Sequence, residues 1–370
     1  MIKVGSDFSG VGAFNQALIR SGIEYDEVFA CDMDKYARET FIHNYGEPKY
    51  YPTNVYDREI PKESLDIYVS SPPCQSFSLA GKRLGKEDKR GVLFFNSHEF
   101  IKTNKPKYFI FENVKGLLSD DNENTFKEWV NMLGGKSVNG LPVLFPYKNS
   151  VPYHIYYKVM NAKKHGVPQN RERIFIIGIR EDKDNHFRWA KEEHLTKRLK
   201  DVLQNEVDQK YFLAQENVDN LLIYNERQAK NGTGFAAKFR DVNNTQIMDA
   251  IKCGGGGKDD LIKVKSATKK GYEEATKGDS INFSVPNSET RRGRVGKGVA
   301  QTLDTQCNQG TLENQNIRRL TPRECFRLMD FPDNFTWTCS DTQAYKQAGN
   351  SIVVRCLELI IKEFNLNATL

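Results

Sequence analysis

Two consecutive prolines, Pro72 and Pro73, interrupt the chain directly after its most strand-like segment. Residues 65–69 are apolar and β-branched over a length that suits a buried strand. Proline lacks the N–H that a sheet ladder needs, so the strand must break into a stiff turn. Cys74 follows, presented just past a strand end. A thiol held that way serves as a nucleophile when its surroundings favour the thiolate. A lone cysteine is more often a buried structural residue, so the rest of the chain decides between the two readings.

The chain has 370 residues, enough for one large or two ordinary domains. Its net charge of +6 is compatible with a polyanionic partner without requiring one. Seven dispersed cysteines include no CxxC pair, which argues against a disulfide framework or a zinc site and suits a reducing compartment. The six histidines lack metal-ligand spacing, so no metal is expected. The first residues lack the apolar core of a signal peptide, and no run reaches membrane-spanning length. A cytoplasmic protein with no membrane partner is the expectation.

In chain order, residues 2–4 read as a short strand, and the stretch from Phe8 through Gly10 to Gly12 as a glycine turn. Residues 13–20 carry apolar positions at helical spacing, with Gly22 as a C-terminal stop. A glycine turn between strand and helix lets backbone amides approach a ligand. Residues 27–31 read as a second strand ending at Asp32, about 20 positions after the turn, which suits a ribose diol. The turn lacks a GK[ST] signature, so the ligand should carry adenosine without needing phosphates. Helix follows over 35–44, and 50–55 reads as a third strand with its loop.

Residues 75–91 are polar, glycine-punctuated and basic. They fit either a lid over a charged substrate or a solvated loop. Residues 91–101 read as helix, 107–111 as a strand ending at Glu112, and 126–133 as helix. Strands separated by helices form a parallel sheet whose carboxyl ends share one edge, where ligands bind. The glycine turn, Asp32, Cys74 and Glu112 should therefore face one crevice. Residues 155–160 and 169–178 read as antiparallel strands finishing the sheet. Gln169, Arg171 and Arg173 would share a face of the extended segment. They suit either phosphate and base oxygens or surface pairing with Glu172.

After residue 181 the strand–helix rhythm is lost and glycine- and arginine-bearing segments dominate, notably 253–257 and 290–298. Arginines on such loops fit guanine readout in a major groove. Residues 318–329 read as a capped helix, with Thr321, Pro322 and Glu324 forming a capping box and Phe331-Pro332 ending it. Residues 347–351 are expected to open one final amphipathic helix through Ile361.

Six motifs now stand in order: Phe8-x-Gly10-x-Gly12, Pro72-Pro73-Cys74-Gln75, Glu112-Asn113-Val114, Gln169-x-Arg171-x-Arg173, Arg318-x-Leu320-Thr321-x-Arg323-Glu324 and Gly349-Asn350-Ser351. In this order and spacing the chain resembles the bacterial and phage DNA (cytosine-5)-methyltransferases over nearly its whole length, roughly 181–316 excepted. The resemblance implies an α/β, Rossmann-like S-adenosylmethionine-dependent methyltransferase domain over 1–185, completed by a C-terminal helix over 342–370. It implies a second, smaller, irregular target-recognition domain over 186–341. S-adenosyl-L-methionine would be held by Phe8, Gly10, Gly12, Asp32, Asn54, Pro73, Leu93, Asn350 and Ser351. Cys74 would be the nucleophile, with Glu112 at cytosine N3 and Arg171 and Arg173 on the target nucleotide. Pro73, Gln75, Ser78, Asn113, Val114, Gln169, Thr302 and Leu303 would complete the substrate side. Double-stranded DNA is the implied partner, the protein would be a monomer, and a cognate restriction endonuclease fits the same kind of system.

Three positions depart from the family pattern: Asn54 where an aspartate is common, Asp330 where glycine is common, and Ser71 before the prolines. The residue chemistry agrees with the resemblance. Cytosine C5 is a weak nucleophile until a thiolate adds at C6 and a carboxyl group stabilises charge at N3. Neither carbon is reachable inside a stacked duplex, so the base must flip out. The rival readings are an RNA (cytosine-5)-methyltransferase, a non-catalytic DNA-binding relative and a nicotinamide oxidoreductase. The last explains neither the Cys74 turn nor the long arginine-bearing region.

Overall fold

A computed structural model describes residues 1–72, 92–183, 186–214, 216–218, 262–286, 288–313 and 316–366. The first part builds β1 (Ile2–Asp7), α1 (Ala13–Arg20), β2 (Tyr25–Cys31), α2 (Lys35–Tyr45), β3 (Ile67–Ser70), α3 (Val92–Asn104), β4 (Tyr108–Val114) and α4 (Asn124–Leu133). β5 (Ser137–Val138), β6 (Leu141–Pro142), β7 (Tyr153–Asn161), β8 (Gln169–Asn170) and β9 (Glu172–Arg180) follow. Eight of these strands form one sheet in the order β2-β1-β3-β4-β9-β7-β5-β6. β2, β1, β3 and β4 are parallel, and β9 runs antiparallel between β4 and β7. This is an α/β, Rossmann-like architecture, with the expected antiparallel strands at one side.

Both faces of the sheet are buried, and side-chain alternation sorts them. Val4, Ile67, Val69, Ile110, Phe175 and Ile177 face one cluster, closed by α1 and the C-terminal helices. Tyr68, Phe109, Phe111, Ile174 and Ile176 face another, closed by α3 and α4. Apolar groups on both faces explain why these strands read as continuous hydrophobic runs rather than alternating ones.

Beyond residue 261 the chain forms β10 (Ile262–Lys265), β11 (Tyr272–Ala275), β12 (Ser280–Asn282), β13 (Val295–Gly296), β14 (Ala300–Gln301), β15 (Gln309–Glu313) and β16 (Asn316–Arg319). A four-stranded antiparallel sheet, β13-β12-β15-β16, encloses a small core with Val264, Ile281, Leu312 and Ile317. β14 pairs in parallel with β8, joining this region to the site side of the large sheet. Within the expected 186–341 span, Phe187, Leu199, Val202, Leu303, Phe326 and Phe335 pack in the first cluster instead.

Local readings differ from the structure at four places. Residues 50–55 are loop, not strand. They lie beside β2, where the Tyr50 and Pro52 carbonyls accept from Ala30 and Asp32 N–H, but Pro52 has no N–H to continue a ladder. Glu112 lies within β4 rather than past its end. The C-terminal segment is two helices, α6 (Asp341–Asn350) and α7 (Val354–Lys362), because Ser351 and Val353 take extended backbone. Arg318 and Arg319 close β16 before α5 (Pro322–Leu328) begins.

The capping box forms as expected. Thr321 Oγ1 accepts from Glu324 N–H at 3.2 Å, and Glu324 Oε2 accepts from Thr321 N–H at 2.8 Å. Glu324 also accepts from Arg318 through both oxygens, at 2.8 and 2.9 Å, with both residues fully buried. Arg318 Nε also pairs with Glu313, so removing Glu324 leaves Arg318 with that one partly exposed carboxylate and both buried terminal nitrogens short of an acceptor, at a cost of about 3 kcal/mol. Glu324→Ala should therefore lower unfolding stability by about that amount, whereas Asp333→Ala, which breaks an exposed pair with Arg327, should cost less than about 1 kcal/mol. Urea unfolding of both variants checks the contrast.

Candidate active site

The site grows from the carboxyl ends of the parallel strands. Asp7 is level with Cys31 and with Ser70, and Ser70 with Phe111, so β4 runs past its neighbours and carries Glu112 and Asn113 over the edge. After β1 the backbone takes left-handed values at Phe8 (φ 57°), Gly10 (54°) and Gly12 (84°). At Gly12 a Cβ would lie 2.2 Å from the Tyr45 ring, so only glycine fits there. A Cβ at Gly10 would meet nothing within 4 Å, which leaves its backbone open to a ligand. Asp32 braces the turn by accepting from Gly10 N–H and Asp34 N–H, both at 2.8 Å. Burial pushes its carboxyl up from the ordinary value, and those two N–H groups pull it back.

A cavity beside the turn is lined by Ser6, Phe8, Gly10, Phe14, Asn350 and Ser351 among others, and among the described residues no lysine or arginine is in its lining. Gly12, Asp32, Asn54 and Leu93 lie outside that lining. Asn54 is exposed, and its Oδ1 accepts from Tyr56 N–H at 3.1 Å. Leu93 packs with Phe8 against the second apolar cluster. Asn350 ends α6, and the preceding Gly349 is obligatory: a Cβ there would lie 2.5 Å from the Asp304 carbonyl oxygen.

The sequence reading missed a buried tie under this edge. Asp7 accepts from Arg58 Nε at 2.8 Å and from the Tyr68 hydroxyl at 2.6 Å. Arg58 also lies 4.5 Å from the Phe100 ring centroid. Burial pushes the Asp7 carboxyl up, while the Arg58 charge and both hydrogen bonds pull it down. The tie links the glycine turn, through β1, to β3, which leads to the prolines. An acidic residue directly before the turn was a visible signal for Asp7. Nothing in the local sequence marks Arg58.

On the β4 side, Arg173 Nε pairs with Glu112 Oε1 at 3.1 Å, and both are largely buried. Asn113 Nδ2 donates to the Pro72 carbonyl at 3.1 Å, and Ser71 Oγ donates to the Phe8 carbonyl at 3.3 Å. The start of the proline turn is thus bonded both to the residue after Glu112 and to the glycine turn, which accounts for the serine at 71. Pro73, Cys74, Gln75 and Ser78 lie outside the described residues, as does the basic stretch to residue 91.

The remaining predicted substrate residues divide. Gln169 is buried, donating to the Leu328 carbonyl and accepting from Leu303 N–H. Arg171 is buried and donates to the carbonyls of Leu303, Gly349 and Ser351 at 3.2, 2.9 and 2.9 Å. Neither pairs with Glu172, which Lys115 engages instead. Leu303 is buried. Val114 and Thr302 are exposed, with Thr302 Oγ1 donating to the Asn170 carbonyl at 2.8 Å. Among the arginines of 291–294, Arg294 is fully buried and donates to four backbone carbonyls, so it reads no base. Among the described residues no cluster of His, Cys, Asp and Glu could hold a metal ion, and no helix is long and apolar enough to cross a membrane.

Comparison with known proteins points one way. The family model for C-5 cytosine-specific DNA methylase matches residues 2–365. The orphan methyltransferase M.SPRI of Bacillus phage SPR is 32% identical, with 98% of this chain and 97% of that protein covered. The type II methyltransferase M.HhaI of Haemophilus parahaemolyticus is also 32% identical, covering 98% and 93%. Among solved structures, a putative DNA modification methyltransferase encoded within an E. coli prophage superposes with a TM-score of 0.62 at 19% identity, and S. pombe Dnmt2 with 0.56 at 17%; each covers 100% of both chains. At such identities the superpositions speak for the fold alone.

Burial pushes the Glu112 carboxyl up from its ordinary value, and the Arg173 and Arg171 charges pull it partly back. A carboxyl raised in the folded state binds its proton more tightly there than in the unfolded chain. Its contribution to stability is then full below the unfolded value and is lost as pH rises through the folded one. The stability of the native protein relative to Glu112→Gln should therefore fall as pH is raised from 4.5 toward 8. Urea unfolding of both at several pH values tests this; a flat or rising difference would contradict it.

Proposed function

Because the chain belongs to the C-5 cytosine-specific DNA methylase family, we propose that it transfers a methyl group from S-adenosylmethionine to C5 of a cytosine flipped out of a specific duplex DNA sequence, through a covalent Cys74–C6 adduct. The observation that carries this reading is the hydrogen bond from Asn113 to the Pro72 carbonyl. It tethers the chain two residues before Cys74 to the residue after Glu112. That tether supports a reading in which the Cys74 sulfur and the Glu112 carboxyl group act on one pyrimidine ring.

The residues beside the glycine turn fit the cofactor. Among the described residues the cavity lining has no cation to compete with a sulfonium centre, and it includes two aromatic residues, Phe8 and Phe14, a residue type that favours one. Asp32, beyond that lining, has a carboxylate braced in place for a ribose diol. When bound, S-adenosylmethionine supplies the electrophilic methyl group.

The chain's own residues do the rest. The Cys74 thiolate adds to C6 of the extruded cytosine, and the electron pair displaced toward N3 is met by the Glu112 carboxyl group. A carboxyl raised by burial is suited to share a proton with that nitrogen. C5 is then enamine-like and takes the methyl group. A base removes the C5 proton, the C5–C6 double bond re-forms, and the thiolate leaves. Arg173 fixes the Glu112 carboxylate in place. Arg171, whose donors engage backbone carbonyls, acts by holding the cofactor-side loop against β8 and β9.

Cys74→Ala should abolish methyl transfer while leaving duplex affinity within about threefold, since the nucleophile contributes to chemistry rather than to ground-state binding. Normal turnover by that variant would refute the nucleophile assignment. A duplex carrying 5-fluorocytosine at the target should trap a covalent adduct that peptide mapping places on Cys74. Bisulfite sequencing of DNA from cells expressing the protein identifies those targets, and methylation of tRNA but not duplex DNA would overturn the substrate.

A further inference from the structure

Residues 282–286 form a turn leading out of β12. Val285 has φ 46°, a left-handed backbone that a β-branched residue rarely adopts. Its side chain is 63% exposed, and among the described residues beyond 186 no other large apolar side chain is exposed to solvent. Such strain persists only where the surroundings over-determine it. Here they do. Arg294, fully buried, donates through Nη1 to the carbonyls of Asn282 and Ser284 and through Nη2 to those of Val285 and Pro286. Ser288 N–H adds a second donor to the Val285 carbonyl at 3.1 Å. Asn282 Oδ1 accepts from both the backbone N–H and the hydroxyl of Ser284.

The turn is also connected to the candidate active site. Asn282 Nδ2 donates to Gln301 Oε1, and Gln301 Nε2 donates to the Gly293 carbonyl. Gln301 belongs to β14, paired with β8 immediately before Arg171. Thr302 then bonds back to Asn170. A short, contiguous run of bonds therefore fixes Val285 relative to Arg171 and the Glu112–Arg173 pair.

We infer that Val285 is an apolar base contact of the recognition region: a stiff side chain presented to the duplex, packing on the hydrophobic surface of a base beside the target cytosine. A rigid β-branched group on a braced backbone loses little entropy on contact, which suits discrimination better than a flexible one. Two base surfaces offer that chemistry, the 5-methyl edge of thymine in the groove and the face of a partly unstacked base. The inference rests on duplex DNA being the substrate, as proposed above.

The test uses the full-length enzyme, S-adenosylmethionine and a random-sequence duplex library read by bisulfite sequencing. Val285→Ala trims the contact. Val285→Gly removes it and relieves the left-handed strain, so that variant should melt no lower than the native protein. Both variants should still methylate cytosine but lose roughly tenfold in discrimination at one neighbouring base position. Uracil in place of thymine at that position distinguishes the sources. If native discrimination drops to that of Val285→Ala, the contact is the methyl edge; if it is unchanged, the contact is a base face. Unaltered target spectra and rates for both variants would overturn the inference. If the native enzyme methylates no duplex at all, the substrate reading itself fails, a result separable from the first.

Discussion

A guanidinium that no carboxylate among the described residues pairs with holds the site together. Arg171 is buried, and its terminal nitrogens donate to the carbonyls of Leu303, Gly349 and Ser351. Those acceptors lie more than 130 residues downstream, on the loop after β14, in the last turn of α6 and just beyond it. Burying a cation against neutral acceptors is unfavourable unless its donors are well matched. Carbonyls held close together by the fold satisfy its terminal nitrogens, while Nε finds no partner among the described residues, and hydrogen bonds from a charged donor are individually stronger than neutral ones. Arg171 therefore gathers the strand carrying Arg173, the serine beside the glycine-turn cavity and the loop after β14 at one point.

The carboxylate of Asp7 does the complementary work on the other side. It is satisfied by one charged and one neutral donor from two different segments, Arg58 and Tyr68. The bond from Asn113 to Pro72 and the bond from Ser71 to Phe8 add cross-links at the next level out. Each joins strand ends adjacent in the sheet but far apart in sequence. The edge is thereby a rigid frame, as chemistry sensitive to displacements of an ångström requires.

What could be read from the sequence was what local physics decides. The capping box at Thr321 and Glu324, the glycine turn at 10–12 and the apolar runs of β1 to β4 depend on neighbours within a few residues. Long-range acceptors were invisible. Gln169, Arg171 and Arg294 looked like ligand contacts because long donors on extended or glycine-rich segments usually face outward; here Gln169 and Arg171 donate to backbone carbonyls of distant segments, and Arg294 to those of the turn at 282–286. Asp330 looked anomalous where glycine is common. Its φ of 65° explains the family preference, and its ion pair with Arg20, across more than 300 residues, explains how an aspartate is tolerated. The split of the last helix escaped notice because Ile352 and Val353 fit an amphipathic pattern while their β-branching allows the extended break after Ser351.

These placements change what the net charge of +6 means. Arginine is the residue type first suspected of gripping DNA, yet Arg58, Arg171, Arg294 and Arg318 are buried and bonded internally. A guanidinium suits that duty because its five fixed donors can satisfy several carbonyls at once, which an ammonium cannot. Each buried arginine still contributes to the long-range field but makes no contact with a phosphate. On the duplex substrate proposed above, phosphates would meet exposed cations such as Arg292 and Lys297 instead, and sequence would be read by side chains that the buried arginines hold still.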